Sequence, residues 1–133
     1  VKSPGAMTTP AAWMDDPPRS EWLGDPLVVD AGLQLGIVWC HEKLGSVSLP
    51  SFGARYRQYT SQFPVEGVSV ILASRENGRQ RMTANVEFID HDARVVARME
   101  GFEWTVDPSL SEEFRASDEA TTGKSAESQG ISM

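Results

Sequence analysis

Residues 25–50, DPLVVDAGLQLGIVWCHEKLGSVSLP, place a strong helix start ahead of a run that is apolar on every side. Asp25 supplies an N-cap acceptor, Pro26 is the residue best tolerated at the first helical position, and Gly45 closes the segment. Val28, Val29, Leu33, Leu35, Ile37, Val38 and Trp39 spread around the helical wheel, so the helix is expected to be enclosed. Something in the remaining chain must wrap it.

After the helix the apolar period changes from helical to two. Phe52, Ala54 and Tyr56 alternate with Gly53, Arg55 and Arg57, the pattern of a half-buried strand. Three more strands are predicted at about 66–74, 79–90 and 93–106, joined by turns at Glu76-Asn77-Gly78 and Asp90-His91-Asp92. In the last strand Val95, Ala97 and Met99 share one parity, whereas Phe102, Trp104 and Val106 share the other. One extra residue near Gly101, a β-bulge, would return all six side chains to the core. The fold class is therefore α+β, a helix followed by an antiparallel meander that curls around it.

Two polar residues interrupt the apolar helix. Asp30 and Gln34 are four apart and share a face, which would put an acid and an amide together in a hydrophobic setting. A buried carboxyl needs a hydrogen-bonded partner, a shifted pKa or a use. A structural Asp30–Gln34 pair and a functional site both satisfy that requirement. Gly32 and Gly36, also four apart, are expected to let the helix approach the sheet closely.

The flanks read differently. Residues 1–20 are rich in Pro, Ala, Thr and Ser without a sustained period, so this segment is expected to be disordered, and its opening VKSPGAM is expected to be a cloning remnant. Residues 109–133 are expected to be a disordered acidic tail or linker, with too few apolar residues to pack. The foldable body then spans residues 21–108, enough for one modest core.

Charge and cysteine content narrow the function. The net charge of −7 and the acids interleaved with Arg55, Arg57, Arg75, Arg79, Arg81, Arg94 and Arg98 argue against nucleic-acid binding. The lone Cys40 argues against a disulfide framework, and a cytoplasmic setting is expected. No apolar run approaches the roughly 20 residues that span a bilayer, so no membrane role is expected. One Cys and two distant His offer no metal-ligand spacing.

A long central helix enclosed by a curled antiparallel sheet is the hotdog arrangement. The chain resembles polyketide synthase dehydratase domains, specifically their C-terminal hotdog half. The resemblance rests on Pro26, Asp30 and Gln34 at the family's spacing, the apolar run after the glutamine, the Leu49-Pro50 pair, and Met99-Glu100-Gly101-Phe102 in the closing strand. It implies loss of water from a β-hydroxyacyl chain held as a thioester on an acyl carrier protein. Asp30 would assist departure of the hydroxyl as general acid, and Gln34 would help position it. Leu33, Ile37, Phe52, Tyr56 and Phe102 are expected to line the channel for the acyl chain and the carrier's phosphopantetheine arm, with no other cofactor.

The chain departs from the family in one respect. The H-x-x-x-G-x-x-x-x-P motif that carries the proton-abstracting histidine is not found in the right context: its spacing occurs only at His41, Gly45 and Pro50, at the end of the predicted helix. His41 shares nearly the helix face of Asp30, but at about 1.5 Å per residue it lies roughly 16 Å along the axis. His91 falls in a turn between acids. The missing base is expected from another hotdog: neighbouring synthase sequence or a second copy in a homodimer. The alternatives are a non-catalytic hotdog that binds an acyl or polyketide chain or docks a carrier protein, and a thioesterase with its acid on the same helix.

Overall fold

The computed structural model describes residues 1–3 and 10–129. In chain order these form strand β1 (Lys2–Ser3), a single 3-10 turn (Pro10–Ala12), helix α1 (Pro26–Leu44), strands β2 (Ser48–Gln58), β3 (Val68–Asn77), β4 (Arg81–Ile89) and β5 (Val95–Val106), and helix α2 (Pro108–Gln129). The strands make one five-stranded antiparallel sheet in the order β1-β3-β4-β5-β2. With α1 against it, the architecture is the expected α+β hotdog.

Helix α1 begins and ends as its sequence dictates. The Asp25 carboxylate accepts from the amides of Leu27 and Val28 at 3.1 and 3.3 Å, capping two of the donors that a helix start leaves free. Gly45 takes the left-handed conformation (φ 65°) and its amide donates to the His41 carbonyl, closing the last turn.

A single stripe, Val28, Gly32, Gly36 and Cys40, is buried against the sheet. The two glycines are spacers. A Cβ on Gly32 would come within 2.8 Å of the Phe88 ring, and one on Gly36 would overlap the indole of Trp104. Trp104 fills the room thus left and donates its Nε1–H to the Leu33 carbonyl at 3.0 Å, so its one polar atom is satisfied inside the core. Met82, Val86, Phe88, Met99 and Val106 complete the layer under the helix. Burial pushes the Cys40 thiol pKa up, with Ser48 pulling the other way, which keeps it a packing group.

The bulge in β5 forms at the expected place. Ala84 pairs with Phe102 and Val86 with Met99, so Glu100 and Gly101 together oppose Asn85. Gly101 adopts a positive φ of 61° and its amide donates to the Asn85 side chain at 3.0 Å. Phe102, Trp104 and Val106 thereby pack with Ala97 and Met99. At the strand's start a second irregularity, between the Phe88 and Ile89 pairings, buries Val96 where the alternation predicts Val95.

Of the strand arginines, Arg55, Arg81 and Arg98 meet carboxylates among the described residues. Arg98 meets Glu87 at 2.7 Å and Glu100 at 3.8 Å, Arg55 meets Glu100 at 3.8 Å, and Arg81 meets Glu103 at 3.2 Å. These cross-strand pairs make a mixed surface rather than a basic patch.

Three expectations need correction. First, residues 1–3 are not disordered: Lys2 and Ser3 pair with Ser69 and Val68, and the Val1 amine donates to the Val70 carbonyl at 3.1 Å. The open edge of β3 recruits them, a long-range pairing without a local sequence signal. Second, the segment after Pro108 is helical through Gln129, because Asp107 caps it by accepting from the Ser109 amide at 2.8 Å. Its described side chains are nevertheless mostly exposed, in keeping with its low apolar content. Third, the sheet covers only one side of α1. Leu27, Asp30, Gln34, Val38 and His41 stay exposed, so the helix is half-enclosed. The disorder expected of residues 4–9 and 130–133 lies outside the described residues.

Candidate functional site

Asp30 and Gln34 project from the open face of α1, one turn apart. They are exposed, which corrects the expectation that they are buried; a single curled sheet has no second layer to cover that face. Neither side chain has a hydrogen bond or ion pair among the described residues, so they do not form the structural pair that would account for them.

Instead they border one groove of about 400 Å³. Leu27, Ala31, Leu35 and Val38 supply its helical wall, and Val1 and Ser3 at β1 supply the opposite wall. Leu27 and Val38 are 50% and 54% exposed, far more than helix positions facing the sheet. A carboxyl and an amide thus stand on an apolar surface with no partner among the described residues.

The expected channel residues do not join this groove. Leu33 and Ile37 turn toward the flanks of α1 and pack partly against the core. The ring of Phe102 lies against Gly53, where an added Cβ would come within 2.6 Å of it. Phe52 and Tyr56 belong to β2, across the sheet from β1, and stand 58% and 39% exposed. The Tyr56 hydroxyl donates to Gln58 Oε1 at 2.9 Å, while Gln58 Nε2 donates to the Leu23 carbonyl at 2.7 Å. Burial, and secondarily the nearby Asp25, raise the Tyr56 pKa, so it stays a neutral phenol.

The helical residues of the groove were within reach of sequence: Leu27, Ala31 and Val38 share the wheel position of Asp30 and Gln34. Val1 and Ser3 were not, because their place depends on pairing with a strand some 65 residues later.

Neither histidine reaches the groove. His41 is exposed at the end of α1, 3.8 Å from Glu42, and His91 lies in the β4–β5 turn, 3.5 Å from Asp92. Asp90 organises that turn by accepting from the amides of Asp92 and Arg94 at 2.9 Å each. Among the described residues no cluster of three or more His, Cys, Asp or Glu could hold a metal ion, and no helix is long and apolar enough to cross a membrane.

A five-stranded antiparallel sheet curled against a capped helix, with an acid and an amide one turn apart on the open face, defines a hotdog domain with a half-built polar site. The family model described as polyketide synthase dehydratase N-terminal domain matches residues 2–113, and the chain belongs to that family. No curated protein and no solved structure matches. The match carries the dehydratase class and not the assignment to one hotdog half, for which the Asp30–Gln34 spacing remains the feature that resembles the C-terminal half.

Proposed function

We propose that this chain is a dehydratase hotdog of a polyketide or fatty-acid synthase with the acid-bearing site of the C-terminal half, acting on a β-hydroxyacyl thioester presented by an acyl carrier protein. The observation that supports this most is the position of Asp30 and Gln34 on the lip of an apolar groove, without a polar partner among the described residues. In the reaction a base from another hotdog removes the α-proton. The electron pair forms the α,β double bond as the β-hydroxyl departs, and Asp30 gives that hydroxyl its proton so that it leaves as water. Gln34 holds the hydroxyl toward the acid. The apolar wall takes the acyl chain, and the carrier's phosphopantetheine arm is the only prosthetic group the elimination calls for.

A general acid works best where water is kept from the reacting atoms. A second hotdog laid over the groove would supply both that exclusion and the histidine. Intact-mass analysis of a carrier loaded with a 3-hydroxyacyl chain, incubated with this domain and a histidine-bearing hotdog, tests the reading. The expected result is loss of one water, about 18 Da, abolished by Asp30→Asn. Unchanged mass in every combination would overturn it.

The absence of any histidine from the groove favours a second reading, a non-catalytic hotdog that retains an acyl chain or docks a carrier. Retention of the loaded carrier without a change in mass, weakened by Leu35→Asp, is its expected outcome.

A further inference from the structure

Beside the β3–β4 hairpin lies a polar cavity of about 370 Å³, lined by Arg75, Arg81, Thr83 and Glu103. Along β4 the buried Met82 and Ala84 face α1, so Arg81 and Thr83, which alternate with them, point to the opposite face of the sheet. Glu103 pairs with Thr83 and precedes the buried Trp104, which puts it on that same outer face. Arg75 reaches the cavity through an irregularity of the backbone. Ser74 pairs with Ala84 and Glu76 with Thr83, so Arg75 is the extra residue of a β-bulge and has no partner on β4. A bulge disrupts the ladder locally and re-aims a side chain. Here the re-aimed side chain is an arginine that makes no ion pair or hydrogen bond among the described residues, whereas Arg81 is held by Glu103 at 3.2 Å.

The geometry points to a binding site for a phosphate group, held by Arg75, Arg81 and the Thr83 hydroxyl. Two guanidiniums against one carboxylate leave the cavity a surplus positive charge, on a chain whose net charge is −7. Each guanidinium offers a fork of N–H donors and the hydroxyl offers one more. A tetrahedral oxyanion has oxygens enough to accept from all three groups, whereas a single fork already occupies both oxygens of a carboxylate. The frame around the donors is fixed in advance. The Gly78 amide donates to the Arg81 carbonyl at 2.7 Å, and the Val106 amide donates to the Gln80 carbonyl at 2.8 Å, which ties the hairpin to the end of β5. Donors held in place before a ligand arrives lose less freedom on binding. Glu103 competes with the ligand for Arg81 and so sets the affinity. Because the cavity and the Asp30–Gln34 groove lie on opposite faces of the sheet, the inference does not rest on the dehydration reading. Two sources carry the same chemistry: free inorganic phosphate, and the phosphodiester of a carrier's phosphopantetheine arm.

Amide chemical shifts of the isotope-labelled chain, titrated with inorganic phosphate while sodium chloride holds the ionic strength constant, read the site directly. Saturable shifts are expected at Arg75, Arg81 and Thr83. Arg75→Gln should weaken phosphate about tenfold or more. Arg75→Lys, which keeps the charge and loses the fork, should weaken it less, and Glu103→Gln should tighten it severalfold by releasing Arg81. The melting temperature is expected to stay put in the Arg75 variants, since that side chain is exposed and unpaired among the described residues. An arginine with a purely structural role would give the reverse, a lowered melting temperature with phosphate affinity intact, and that result would overturn the inference. So would shifts that do not saturate, that spread equally to Arg55, Arg57 and Arg98, or that acetate reproduces at the same concentration. The source is read by a second titration. A carrier bearing its phosphopantetheine arm that moves the same amides, where the armless carrier does not, identifies the phosphodiester, and saturation by inorganic phosphate alone identifies the free anion; both outcomes support the site.

Discussion

The two faces of α1 follow opposite rules. Toward the sheet, positions are decided by fit: two glycines admit Phe88 and Trp104, and Val28 and Cys40 fill the two ends of the stripe. Toward solvent, Leu27, Asp30, Gln34 and Val38 touch little of the fold. Residues that packing does not require are available for recognition or chemistry, so the contrast marks the core and supports the proposed site on the opposite face. Helix α2 extends the contrast, having a capped start but no buried stripe among its described residues.

The largest expected effect separates the faces most clearly. Trp104→Ala removes the largest buried side chain and its hydrogen bond to the Leu33 carbonyl, and should cost about 3–5 kcal/mol by chemical denaturation. Val38→Ala, on the open face, should stay within about 0.5 kcal/mol. Equal losses would erase the distinction.

Gly36→Ala sharpens the comparison on one helix. At an exposed site the change would stabilise by roughly 1 kcal/mol through helix propensity. Here the new methyl overlaps the Trp104 ring, and a net loss of about 1–3 kcal/mol is expected by the same measurement. A gain would mean that the helix can move away from the sheet.

A smaller effect concerns the unpacked helix. The side-chain and backbone hydrogen bonds from Ser109 hold the Asp107 carboxyl pKa below its ordinary value. A depressed folded-state pKa gives α2 a contribution that is complete above the ordinary aspartate value of 3.8 and lost as pH falls through the lowered one. Far-UV circular dichroism should therefore lose helical signal in that acid window before tryptophan fluorescence reports the core. Asp107→Asn keeps an acceptor without that titration and should flatten this early phase.

Much of this plan was legible in the sequence, for identifiable reasons. The caps of α1, the four long strands and the bulge at Gly101 follow from short-range signals: Asp25-Pro26, period-two alternation, and a parity change that one residue repairs. The spacing Gly32–Gly36 announced close contact with the sheet. What failed was non-local or was outweighed by composition. Whether a helix face is covered depends on how far the sheet curls, which no residue of the helix encodes, and for the same reason Phe52, Tyr56 and Phe102 do not border the groove beside Asp30 and Gln34. The Asp107-Pro108 pair repeats the start signal of α1, yet the polar composition behind it points to a linker. Asp30 and Gln34 were legible as a pair but not as an exposed one.

The open face of α1 carries little of the fold, which leaves Asp30 and Gln34 free for the proposed site. Thermal melting of Asp30→Asn tests this most directly, because the substitution keeps shape and removes only the ionisable oxygen. The account predicts a midpoint shift corresponding to no more than about 0.5 kcal/mol. A loss of about 2 kcal/mol or more would show that Asp30 holds the fold together, and would contradict the account.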